Sequence, residues 1–361
     1  MSASEVEIAA TPYASPGGIG AYPPSWLNRL LRWIDRLPGP TWWFYLAFAV
    51  VTAILGQVIF WRAGIQPVGQ IDPAQVFWGV YLPAQLWIIG YLDGVAREAL
   101  TAFRPALEMS DDEARRLEYE LTVIPALPAL IIGLAVLPVT LVGYVVDPVA
   151  SGIEGYDAIT LAARAASEWF VGAVLLVFVY HTLRQLQLVS RLHARVGRID
   201  LFQPRPLYAF SRLTSRTGMA LLVLIASGLA ASPGFLTSDV FWTIWAPWLI
   251  GVPVLAIAVF VVPLYGMHLR LAAAKDTVPG QANLRLRTIL DELNAAADAR
   301  DVARAEGPQK LLSGQLSQRE VHARLPTWPW SGATLRAFLS ALLLPIAVFL
   351  IQRALVALLP S

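Results

Sequence analysis

The chain has 361 residues, 57% of them hydrophobic and 14% charged, with a net charge of +2. With a mean hydropathy of +0.57, this composition excludes a soluble globular domain and puts the chain in the membrane class. Cysteine is absent, which removes disulfides, thiolate nucleophiles and thiolate metal sites from consideration.

Residues 1–24 are rich in Gly, Pro, Ser and Ala and carry Glu5 and Glu7 where a secretory signal is basic. The expectation is a flexible tail with no cleaved signal peptide. In residues 25–38, Trp26, Leu27, Leu30, Leu31, Ile34 and Leu37 share one helical face, with Asn28, Arg29, Arg32, Asp35 and Arg36 largely opposite. That pattern predicts an amphipathic helix lying in the inner membrane interface and anchoring the first span.

A bilayer core about 30 Å thick calls for about 20 apolar residues per helix, and the chain predicts seven spans, six within 39–267 and the last within 333–361. The first, 41–61, is bracketed by Trp42, Trp43 and Trp61, rings that favour the two interfaces. The second, 76–94, is interrupted only by Gln85 and Asp93. The third, 121–146, is uncharged and carries Pro125, Pro128 and Pro138. The fourth, 158–183, opens with Arg164 and Glu168, four residues apart on one face and able to pair. The fifth, 217–231, stops at the turn signal of Ser232, Pro233 and Gly234, and the sixth, 240–267, opens with Trp242, Trp245 and Trp248.

Residues 268–332 predict a helical hairpin and a Trp-rich linker. Ala282, Leu286, Ile289, Leu293 and Ala296 form a coiled-coil-like seam, Gly307 and Pro308 break this helix from a second ending near Arg324, and Trp328 and Trp330 sit at the inner interface. The seventh span, 337–359, contains Pro345 and Arg353.

All but Arg62, Arg164 and Arg353 of the 27 Lys and Arg residues lie in alternate segments, which the positive-inside bias assigns to the cytoplasm. The expected fold class is therefore all-α and polytopic: seven transmembrane helices in the inner (plasma) membrane, N-terminus in and C-terminus out, with a cytoplasmic helical hairpin between helices six and seven.

Ionisable groups at membrane depth are costly and mark candidate functional positions. Asp93 lies near the inner end of the second span, one turn from Arg97, and Gln85 lies where a midplane transport site would sit. Arg164 and Glu168 read as a local pair near the outer surface. Gln352 and Arg353 fall near the outer third of the last span, past Pro345, and read either as pore residues or as interfacial anchors. His181 and His268 end two spans at one level, as paired haem ligands would, yet nothing else resembles a haem pocket. No metal and no cofactor are expected. Arginines beside spans are explained by topology and anionic lipid, so no nucleic-acid partner is expected either. Lys275 and Lys310, the only lysines, lie in the cytoplasmic segment, which excludes a retinal Schiff base in the last helix. No HExxH, G-x-S-x-G, P-loop or Gly-rich dinucleotide turn is present, and no enzymatic activity is expected.

Seven spans in this orientation, a long basic extension after span four and a helical segment between spans six and seven resemble the seven-transmembrane ion channels of the insect odorant and gustatory receptor type. That family's motif in the last span, Thr-Tyr, five apolar residues and Gln-Phe, is matched by the apolar run 347–351 followed by Gln352, while Pro345, Ile346 and Arg353 replace Thr, Tyr and Phe. The resemblance implies a homo-oligomer, a tetramer, with the last helix lining a central pore and Gln352 near its outer constriction. The alternative is a non-transporting sensor or scaffold whose hairpin docks a cytosolic protein.

Overall fold

Ser25 opens the helical part of the chain: its Oγ accepts from the Asn28 amide at 3.1 Å. Asp72, Ser110 and Asp157 cap three later helices in the same way, each satisfying an otherwise orphaned first-turn amide. The computed structural model describes residues 22–107, 109–146, 153, 155–196, 208–231, 246–323 and 326–358. The elements are α1 (Trp26–Asp35), α2 (Thr41–Arg62), α3 (Pro73–Phe103), a 3-10 turn (Arg104–Ala106), α4 (Asp111–Thr122), α5 (Ala126–Val146), α6 (Ala158–Arg195), α7 (Ala209–Ala231), α8 (Ala246–Asp298), α9 (Val302–Ala323) and α10 (Gly332–Leu358). Among the described residues the fold is all-α, with one isolated bridge between Pro24 and Pro125.

Five helices are long and apolar enough to cross a membrane: α2, α6, α7, the Ile250–Lys275 part of α8 and the Gly332–Leu355 part of α10. α3 has 31 residues but includes Asp93, Arg97 and Glu98, and α5 is apolar over the shorter Ala126–Val142. The tail before Tyr22, the turn at Ser232, Pro233 and Gly234, and Trp242 and Trp245 lie outside the described residues.

Several boundaries differ from the reading of the sequence, each for a local reason. The third span does not start at 121, because α4 ends at Thr122 and Pro125, which has no amide and biases Ile124 to an extended backbone, delays α5 to Ala126. The sixth span and the first arm of the hairpin are one uninterrupted helix of 53 residues. The hairpin turns at 299–301, while Gly307 and Pro308 lie inside α9. Arg300 adopts φ 54°, and the amides of Arg300 and Asp301 bond back to the Ala297 and Ala296 carbonyls at 3.0 Å each, closing α8. Asp301 Oδ1 then takes the Arg304 amide at 3.0 Å and opens α9. On the expected seam Leu286, Ile289 and Leu293 are half-buried and Ala296 is buried; the side chain of Ala282 lies outside the described residues.

The apolar face of α1 is turned into protein rather than lipid. Leu27 and Leu31 are buried in one cluster with Ile89, Ile124 and Phe178, which leaves Trp33 as the exposed aromatic of this helix. The expected interfacial helix is thus docked on α3, α5 and α6.

Facing pairs fix the helix directions. Thr52 Oγ1 donates to the Gly79 carbonyl at 2.6 Å and Gln57 Nε2 to the Asp72 carbonyl at 3.0 Å, so α2 and α3 run antiparallel. A Cβ on Gly79 would fall 2.6 Å from the Ala53 Cα; glycine is what lets these two helices approach so closely. Tyr81 reaches the Leu224 carbonyl and Phe103 packs on Phe210, making α3 and α7 antiparallel. Asp93 meets His181 and Phe103 meets His193, so α3 and α6 are parallel. α10 runs parallel to α7, with Phe338 beside Gly218 and Gln352 beside Leu229.

Candidate functional site

The buried polar centre of the bundle is built on the C-terminal halves of α3 and α6. Asp93 and His181 are each only 2% exposed, and Asp93 Oδ1 lies 3.2 Å from His181 Nε2. One turn on along α6, the Gln185 side-chain nitrogen lies 3.0 Å from the same His181 nitrogen and donates to the Leu121 carbonyl at 2.7 Å. Arg97, one turn beyond Asp93, sits 4.0 Å from Glu118 of α4.

Gln185 belongs to a second arrangement that meets the first. The extended stretch between α4 and α5 leaves carbonyls without helical partners, and side chains from elsewhere take them. Asn28 of α1 donates to the Thr122 carbonyl at 3.2 Å and accepts the Ile124 amide at 2.8 Å. Arg184 donates to the Glu120 and Val123 carbonyls at 2.8 and 3.0 Å, and to the Tyr22 hydroxyl. Burial pushes the Tyr22 phenol up to about 12 against the opposing pull of Arg184. Irregular backbone near membrane depth is tolerated where protein groups satisfy it in this way.

The other residues singled out in the sequence are dispersed. Gln85 is 2% exposed, and neither atom of its amide has a hydrogen-bond partner among the described residues. It lies two helical turns from Asp93 on α3 and one turn from Tyr81. Arg164 and Glu168 contact each other at 2.7 Å near the start of α6, with the Tyr144 hydroxyl donating to Glu168 at 2.6 Å. Glu168 is exposed and Arg164 half-buried, and pairs this open to solvent contribute little stability. Gln352 is turned inward, donating to the Leu229 and Ala230 carbonyls at 2.7 and 3.0 Å and so capping the end of α7. Arg353 falls on the exposed side of α10, and Pro345 on its buried side.

His181 and His268 are engaged separately, the second accepted by the linker through Thr327 and Trp328. Among the described residues no group of three or more His, Asp or Glu side chains is placed to hold a metal ion. Comparison with protein-family models, with curated proteins and with solved structures gives no match.

Proposed function

We propose that the chain is a seven-span, ion-conducting protein of the inner (plasma) membrane, N-terminus in and C-terminus out, working as an oligomer with its last helix toward the pore. The observation that carries this reading is the Asp93–His181 pair, closed off in the core at the inner end of two parallel helices. A bundle that needs only to hold its shape gains little from such a pair, because apolar replacements of buried ionic groups are often neutral or stabilising. Ion and proton pathways, by contrast, require ionisable groups at this depth.

Two further features support it. The alternating directions of α2, α3 and α7 and the parallel course of α7 and α10 agree with an odd number of crossings. α10 is held along one side only, leaving Leu339, Leu343, Ile346 and Leu350 exposed for lipid or a second copy. With Gln352 braced on α7, Arg353 is the polar group that a ring of α10 helices would bring toward a shared axis. Purified protein in liposomes tests the proposal: flux under a voltage, a pH gradient or tension is expected, and is expected to fall sharply in Asp93→Asn. Wild-type protein that passes no ions under any of these drives overturns it.

A second reading, a scaffold that docks a cytosolic protein through α8 and α9, is favoured by the exposed Leu311, Leu316 and Val321 of α9. Deleting residues 281–324 separates the two, since a scaffold loses its partner while an independent pore keeps conducting.

A further inference from the structure

We propose that Asp93, His181 and Gln185 form a proton-binding site whose occupancy is read at the break between α4 and α5. The inference rests on the reading of Asp93 and His181 as the charge-handling pair. It starts from a conflict at one atom: His181 Nε2 faces Asp93 Oδ1 at 3.2 Å and the Gln185 side-chain nitrogen at 3.0 Å. A ring nitrogen offers one in-plane position, either a lone pair or an N–H. Gln185 must present an N–H there, because its amide is oriented to donate to the Leu121 carbonyl; reversed, it would set oxygen against oxygen. Nε2 therefore bonds Gln185 only when bare, and bonds an ionised Asp93 only when it carries the proton.

A doubly protonated ring does not resolve the conflict. Its Nε2–H would still oppose the Gln185 N–H, and an imidazolium and a carboxylate would then be buried together; Nδ1, without a hydrogen-bond partner among the described residues, carries a hydrogen there and in the neutral acid form alike. Two states remain. With a proton on Asp93 and the ring's own proton on Nδ1, Nε2 is bare, the carboxylic acid and the Gln185 amide share its lone pair, and Gln185 keeps its grip on the end of α4. When one proton leaves to water, the one that remains sits on Nε2 facing the carboxylate, and Nδ1 is left bare. Gln185 then faces a donor, turns away, and releases the Leu121 carbonyl. Proton binding closes the inner end of the bundle, and proton loss loosens it.

The charged and titratable groups that face the site are Arg97 on α3, Glu118 of α4 beside it, Asp35 of α1 and Tyr45 of α2, both within electrostatic reach of Asp93, and Arg184 of α6. Asp35 and Glu118 are carboxyl groups too, but neither acts through Gln185, and that difference decides the test.

Because the chain has no cysteine, Thr122→Cys introduces a single thiol at a position 1% exposed. Its labelling by a membrane-impermeant maleimide, applied from the inner side of vesicles, is followed between about pH 5 and about pH 8. Each rate is normalised to the same variant unfolded. We expect normalised labelling to rise roughly threefold to tenfold with pH, the factor that one net hydrogen bond supplies. In Asp93→Asn it should be flat and slow, in Gln185→Leu flat and fast, and in Arg184→Ala fast with its slope retained. Gln185→Met replaces Gln185→Leu if the latter does not elute as folded protein. A slope that persists unchanged in Asp93→Asn and in the Gln185 variant overturns the proposal. Labelling needs no conduction: a proper slope in protein that passes no ions keeps the proton site and removes the channel, and flux without a slope does the reverse.

Discussion

His268 lies flat on Trp328, with ring centroids 3.8 Å apart and planes 9° from parallel. The contact begins a column that continues from Trp328 to Trp330 at 4.2 Å, from Trp330 to Phe260 at 4.9 Å and from Phe260 to Phe338 at 4.4 Å. Rings from α8, the linker and α10 are thereby stacked in one file. His268 adds a hydrogen bond from Nδ1 to the Thr327 carbonyl at 3.1 Å, so the linker is fixed by its backbone as well as by its indoles.

Trp328→Ala removes two stacked neighbours at once. Aromatic pairs contribute about 0.5–1.5 kcal/mol each beyond their area, so the variant should melt earlier in detergent and be cut faster by protease in the linker. Trp33→Ala, at a residue 59% exposed, serves as the control and should leave both readouts unchanged.

Removing one member of the Asp93–His181 pair abandons the other in a buried site. Asp93→Leu and His181→Leu should each destabilise the protein by about 1–3 kcal/mol. The double variant should be more stable than the sum of the two predicts, because neither member of the ionisable pair is then left buried without the other. Denaturant unfolding of all four proteins measures the coupling.

Arg184→Lys should not preserve the break between α4 and α5. An ammonium group lacks the planar fork that reaches the Glu120 and Val123 carbonyls and the Tyr22 hydroxyl together. The Ala126 amide, bonded to the Pro23 carbonyl at 3.0 Å, should exchange faster in Arg184→Lys than in the native chain.

Asp157 caps α6 and pairs with Arg62 at 2.6 Å. The hydrogen bonds from Thr160, with the Arg62 contact behind them, hold its carboxyl down at about 2 against an ordinary 3.8. A carboxyl lowered in the folded state contributes stability that is present above 3.8 and lost as pH falls toward 2. The difference in melting temperature between native protein and Asp157→Asn should therefore be constant near neutrality and shrink across that acidic window.

A reporter fused after Ser361 should label from outside the cell. Its appearance in the cytosol would reverse the proposed direction of α10 and of every helix packed with it.

The all-α, span-forming character of the fold is legible in the chain because apolar length acts locally. The Arg164–Glu168 contact is legible for the same reason, since an i,i+4 spacing puts both on one face. The Asp93–His181 pair is not, because it joins residues 88 positions apart through the parallel packing of α3 and α6. Gln185 and Asn28 stand in charged stretches that read as solvated, and only tertiary packing turns them inward to serve the orphaned carbonyls of α4. Position along a helix can be counted from the sequence, but azimuth depends on which neighbours pack where, and the inward orientation of Gln352 is therefore not foreseen. The hairpin turn is hidden in another way: Arg300 takes a left-handed conformation usually supplied by glycine, and the nearby Gly307 and Pro308 mislead.

The unbroken course of α8 has a mechanical consequence. At 1.5 Å per residue its 53 residues run about 80 Å without a break in the helix, from Ala246 to the start of the hairpin turn. The hairpin turn at 299–301 and Phe260, embedded among the rings that seat α10, are therefore joined by one helical backbone, which gives a displacement at the hairpin a direct covalent route to the last helix.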